Sequence, residues 1–155
     1  MREVPSSGNR HSVRPDRRAS SQSERGLDFL VPASPDELRR VRKALDDLGV
    51  PPALLHDARL LVNELVTNSI RHSGLGPQDA IRIRAEWSGT RLRVDVYDRA
   101  GRSRPSRVIG AIRPSAGAQS GWGLYVVDRV ASRWGAVPGR YWFELDLDRD
   151  GEPEA

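Results

Sequence analysis

One stretch constrains this chain more than any other: Leu60-Leu61-Val62-Asn63-Glu64-Leu65-Val66-Thr67-Asn68-Ser69-Ile70-Arg71-His72-Ser73. Leu61 and Leu65 form one line at helical spacing, and Val62 and Val66 form the line beside it. That pattern predicts an amphipathic helix packed on a core. Its limits are Pro52, suited to a first turn, and Gly74 with Gly76-Pro77 beyond His72. Glu64 and Asn68 are four residues apart, so they sit one above the other on one side of the helix, and Arg71 and His72 continue the stripe. A carboxylate and a carboxamide beside an apolar face suggest a pocket. The plainer reading is a solvated helix face, where an E-x-x-x-N pair occurs by chance. Features further along the chain decide between them.

The length of 155 residues suits one domain with a real core. Residues 1–25 hold almost no large apolar side chains and are rich in Ser, Arg, Pro and Gly, a composition that cannot offset ordering entropy. They are expected to form a disordered basic arm, with six Arg against Glu3, Asp16 and Glu24. The arm thus carries +3 of the formal +4, so the high pI does not argue for a nucleic-acid binder. A folded domain over 26–148 and an acidic tail over 149–155 follow. The absence of Cys excludes a disulfide framework, a thiolate metal site and a Cys nucleophile, and His11, His56 and His72 are too scattered for a metal cluster. No apolar run approaches the roughly 20 residues that span a bilayer, and no signal peptide is recognisable. A cytoplasmic protein without membrane contact is expected.

Along the chain, Gly26 to Val31 reads as a first strand with Leu27, Phe29 and Val31 on one face. Ser34, Pro35 and Glu37 predict a capping box, and Leu38, Val41, Leu45 and Leu48 form the stripe of a helix that Gly49 ends. After the Pro52–His72 helix, Ile81, Ile83, Ala85 and Trp87 alternate with Arg82, Arg84 and Glu86 as a half-buried strand. Ser88-Gly89-Thr90 signals a hairpin turn into a strand with Leu92, Val94 and Val96 inward. If the pleat continues, Asp98 points to the core side and needs a partner; if the strand ends at Tyr97, Asp98 is a turn residue. Residues 99–120 hold glycines, prolines and five Arg without periodicity. A loop longer than about 12–15 residues is usually functional or disordered, so this one reads as a lid over an anion or as a surface insertion. Gly121-Trp122-Gly123-Leu124 opens a helix whose stripe is Leu124, Val127, Ala131 and Trp134. Glycines at a helix start expose amides that favour phosphate. Gly135 is expected to turn the chain back into a last strand from Tyr141 to Leu147. The order predicts an α+β fold, with helices layered on one face of a mostly antiparallel sheet.

Three motifs in this order resemble those of the GHKL ATPase superfamily, the Bergerat ATP-binding fold, and more narrowly the bacterial anti-sigma factor serine kinases. Asn63-Glu64-Leu65-Val66-Thr67-Asn68 with His72 looks like the N box. Val94-Asp95-Val96-Tyr97-Asp98 with Gly101 looks like the first glycine box, and Gly121-Trp122-Gly123-Leu124 like the second. Trp142-Phe143-Glu144-Leu145 is similar to the family's final strand. The resemblance covers about Leu27 to Leu147 and implies a two-layer α/β sandwich.

The resemblance also implies roles. Asn68 would hold Mg2+ that bridges the ATP phosphates. Glu64 would be the general base that takes the proton of an attacking serine hydroxyl. Asp98 would accept a hydrogen bond from the adenine amino group, Gly101 would let the backbone approach the base, and the amides at Gly121, Gly123 and Leu124 would meet the phosphates. Three positions depart from the pattern: Ala100 stands where the family usually has Gly, Arg140 where a Thr is often seen, and Trp122 where a basic residue is common. The implied activity is ATP-dependent phosphorylation of a serine on an anti-sigma-antagonist protein, with sequestration of a sigma factor as a second role. Family members are often dimers, which makes the first strand and helix an expected self-association surface. The alternative is a non-catalytic protein-binding transcription regulator with a degenerate nucleotide pocket. The detached catalytic domain of a histidine kinase fits less well, because the residues around His11 show no helical pattern.

Overall fold

The computed structural model describes residues 24–98 and 122–147. Within them the chain forms β1 (Arg25–Pro32), α1 (Leu38–Asp47), α2 (Pro52–His72), β2 (Ala80–Trp87), β3 (Arg91–Tyr97), α3 (Trp122–Val130), β4 (Arg133–Val137) and β5 (Arg140–Asp146). The five strands make one sheet in the order β1-β2-β3-β5-β4, and every pairing is antiparallel. The α+β architecture is the expected one. Among the described residues, no helix is long and apolar enough to cross a membrane.

Strand alternation decides which face of the sheet is covered. Ile81, Ile83 and Ala85 on β2, Val94 and Val96 on β3, and Tyr141, Phe143 and Leu145 on β5 are buried. Against them α2 buries Leu54, Ala58, Leu61, Val62, Leu65, Val66 and Ser69. Full burial of one such leucine contributes about 2 kcal/mol, so the apolar stripe of α2 anchors the two layers. The helix ends as its sequence indicates. Ser73 is the C-cap, its amide donating to the carbonyl of Ser69 (3.2 Å), and Gly74 takes the left-handed φ of +66°.

The opposite sheet face carries ion pairs and aromatic rings. Arg93 stacks over the Trp142 ring at 4.4 Å and bonds Glu144 and Asp95, while Arg133 bonds Glu144 and Asp146. Burial opposes ionisation of Glu144, but the Arg133 and Arg93 guanidiniums win and hold its carboxyl below the usual range.

Three expectations need correction. Ser34 caps a single 3-10 turn (Pro35–Glu37), accepting from the Asp36 amide at 3.3 Å, and Glu37 pairs with Arg40 instead of closing a capping box. The stripe through Trp134 is not all helical, since α3 stops at Val130 and Trp134 lies on β4, opposite Phe143. Apolar residues at 131 and 134 suit either period, and pairing to β5 decides for strand. The turn back therefore falls at Gly139, with φ +77°, rather than at Gly135. The basic arm (apart from Glu24 and Arg25), the 99–120 loop, and residues 148–155, which include the acidic tail, lie outside the described residues.

Candidate functional site

The site is built where the C-terminal half of α2 meets the start of α3. The helices run antiparallel, as Gly123 lies against Glu64 and Asn68 while Arg129 and Val130 share a cavity with Ala53, Leu54 and Asp57. The approach at Gly123 is close. A Cβ added there would stand 2.8 Å from Glu64 Oε2 and 3.9 Å from Asn68 Oδ1. Only glycine leaves that space. The first amides of α3 have no carbonyl partner within the helix, so Gly123 and Leu124 present N–H groups at the positive end of the helix dipole. Neither Glu64 nor Asn68 has a side-chain hydrogen-bond partner among the described residues. One carboxylate, one carboxamide and a helix N-terminus thus converge with polar atoms available to a ligand.

The second half of the site is at the end of β3. The strand ends at Tyr97, yet Asp98 stays buried, at 8% exposure. Both readings of the strand phase are thus partly right: Asp98 has left the ladder but keeps the core side. Its amide donates to the carbonyl of Gly139 (3.0 Å), and the Ser73 hydroxyl donates to its Oδ2. The buried carboxylate therefore has the partner its burial demands. Tyr141 lies on the same side of the sheet, where burial, aided by the Asp98 carboxylate, pushes its hydroxyl above the ordinary tyrosine range.

The structure thus brings Glu64, Asn68 and Gly123 together and places Leu124 in the same helical turn, with Asp98 tied to the end of the same α2. Gly101 and Gly121 lie outside the described residues. Arg71 and His72, which continue the polar stripe of α2, are exposed. Arg140, which stands where a Thr is often seen, lies away from Asp98 and Tyr141. Register places it opposite Tyr97 on the sheet face opposite the helices, where its Nε lies 2.9 Å from Asp95 Oδ1, off the N–H direction, as an ionic contact.

Sequence reasoning missed Ser73, Tyr141 and Ser69. The alternation Tyr141-Phe143-Leu145 could have found Tyr141. Nothing in the sequence links Ser73 to Asp98, twenty-five residues away. Ser69 is fully buried, its hydroxyl without a partner among the described residues, one turn before Ser73 on the same side of α2. A buried hydroxyl without a partner is costly, and this one sits next to Asn68.

Comparison with known proteins bears on this geometry. No curated protein matches the sequence. Among solved structures, the chain is similar to the crystal structure of the RsbU and RsbW domains of Rv1364c from Mycobacterium tuberculosis, at 20% identity and a TM-score of 0.51 over 77% of this chain. The match spans 31% of that longer chain and shows a common fold. Residues 31–137 match the family model described as the histidine kinase-like ATPase domain. That segment takes in Glu64, Asn68, Asp98, Gly123 and Leu124, and the chain belongs to the histidine kinase-like ATPase domain family.

Proposed function

We propose that the protein is an ATP-dependent protein kinase that phosphorylates a serine of an anti-sigma-antagonist partner and also binds a sigma factor. The observation that carries this reading is the convergence of Glu64 and Asn68 on Gly123 at the start of α3. A cradle that any side chain at 123 would fill, beside helix-terminal amides, suits a phosphate chain. Asn68 offers one amide oxygen to Mg2+, a cation that takes oxygen ligands and usually keeps several waters. Among the described residues no group of three His, Cys, Asp or Glu gathers that could hold a metal without such help. Buried Asp98 is suited to accept a hydrogen bond from an adenine amino group, held in place by Ser73.

Bound ATP would supply the transferable phosphoryl group. The chain's own residues do the rest. The Gly123 and Leu124 amides bind and orient phosphate oxygens. Glu64, whose carboxylate is engaged by no side chain among the described residues, accepts the proton of an incoming serine hydroxyl. The similar mycobacterial structure includes an RsbW domain, and that likeness supports a role in the anti-sigma type of regulation.

The test is incubation with Mg-ATP and candidate antagonist proteins from the same genome. Glu64→Ala should retain ATP binding and lose transfer by roughly 10²–10⁴-fold, the usual worth of a general base. Full transfer in that variant would remove Glu64 from the mechanism.

A further inference from the structure

Ser73 lies beyond the three motifs, yet its hydroxyl bonds the buried carboxylate of the site. Its position is fixed by backbone. It is the C-cap of α2, its amide bonded to Ser69, with Gly74 turning the chain away immediately after it. The carboxylate it meets is fixed as well, since the Asp98 amide is bonded to Gly139. Two anchored backbones thus set the direction of one hydroxyl–carboxylate bond, and that bond at Oδ2 restrains the rotation of the carboxylate. The Asp98 carboxylate is largely screened from water, with Asp98 at 8% exposure and Tyr141 at 7%. A carboxylate rotated out of line there would not be compensated by solvent.

We infer that Ser73 is a positioning residue for nucleobase selection: its hydroxyl orients the Asp98 carboxylate as an in-line acceptor, so that the pocket takes a purine bearing a 6-amino donor over one bearing a 6-carbonyl. The inference rests on the nucleotide-binding reading above and adds the residue that sets base preference within it. The chemistry is direct. An ionised carboxylate only accepts hydrogen bonds, a 6-amino group donates, and a 6-carbonyl accepts. Two acceptors facing each other in a buried site repel, so discrimination depends on how firmly the carboxylate is held.

The experiment is calorimetric titration of Mg-ATP and Mg-GTP into the full chain and into Ser73→Ala and Ser73→Thr, with thermal unfolding of each. In Ser73→Ala the ATP Kd should rise roughly tenfold, the scale of one hydrogen bond to a charged group. The GTP Kd should stay unchanged, so the ATP-over-GTP preference falls by the same factor. Ser73→Thr keeps the hydroxyl and should keep the wild-type preference. A residue that merely ties α2 to β3 would lower the unfolding temperature and leave the preference intact. An unchanged preference in Ser73→Ala, or equal loss in Ser73→Thr, overturns the inference while leaving nucleotide binding in place. A wild-type chain that binds neither nucleotide overturns the nucleotide reading and the inference together.

Discussion

Gly123→Ala separates stability from chemistry at this site. Gly123 lies in the first turn of α3 with no left-handed φ, so alanine brings no backbone strain. Its Cβ would stand 2.8 Å from Glu64 Oε2, where ordinary contact begins at 3.4 Å, so the carboxylate must retreat by roughly 0.6 Å. That atom is the far end of a flexible side chain with no bond to break among the described residues, so retreat is cheap. Alanine's helix propensity gains up to about 1 kcal/mol over glycine, less in a first turn. The expected net effect on folding is neutral to slightly stabilising. Function should behave oppositely. A catalytic group misplaced by about 1 Å can cost on the order of 10²-fold in rate, and the added methyl would also fill the proposed phosphate cradle. The assay pairs thermal unfolding with phosphate transfer from Mg-ATP to an antagonist protein. An unfolding temperature within about 2 °C of wild type or above it, with transfer reduced roughly 10²-fold, is the expected outcome. Wild-type transfer, or a fall of more than about 5 °C, would refute the placement of Glu64 against α3.

Three further outcomes follow from the sheet. Gly135→Ala should destabilise by about 1–3 kcal/mol, because a Cβ there would lie 2.6 Å from Trp142 Nε1 and 2.8 Å from its ring carbon Cζ2, and the ring is pinned beneath Arg93; unfolding at the wild-type temperature would contradict this. The carboxyl of Glu144 is held low by Arg133 and Arg93 against the cost of burial, so its contribution is present above the ordinary glutamate range and lost as pH falls through the lowered folded value. Glu144→Gln should therefore flatten the loss of stability on acidification, measured by denaturant unfolding between neutral pH and pH about 3. Tyr141 is raised by burial and then by Asp98, so its contribution is present below the ordinary tyrosine range and lost as pH rises through the raised value. In Asp98→Asn its phenol should titrate at lower pH by ultraviolet absorbance, though still above an exposed tyrosine, and an unshifted titration would place Tyr141 away from Asp98.

The sequence made the frame legible where one period ran unbroken. The stripe of α2 marked its span from Pro52 to His72, and the alternation of β2 and β3 marked which side chains face α2. Glu64 and Asn68 were visible as a pair because i and i+4 positions meet on any helix. Their convergence on Gly123 was not, since helix–helix packing depends on the whole two-layer arrangement. Asp98 was ambiguous because a strand's end cannot be read from alternation alone, and burial persists past the ladder. Trp134 went to a strand because five residues are too few to show a period. The face that Arg140 takes follows from register, since one position decides which side of the sheet a side chain occupies. Ser73 was illegible because its contact with Asp98 joins a helix end to a strand end far along the chain.

The central claim is that Glu64, Asn68, Gly123 and Asp98 frame a nucleotide pocket. Calorimetric titration of ATP, with and without magnesium, into the wild-type chain and Asp98→Ala tests it most directly. Saturable binding that strengthens with magnesium, and weakens at least about tenfold in Asp98→Ala, is the expected result. No binding at millimolar Mg-ATP, or equal affinity in the two proteins, would contradict it.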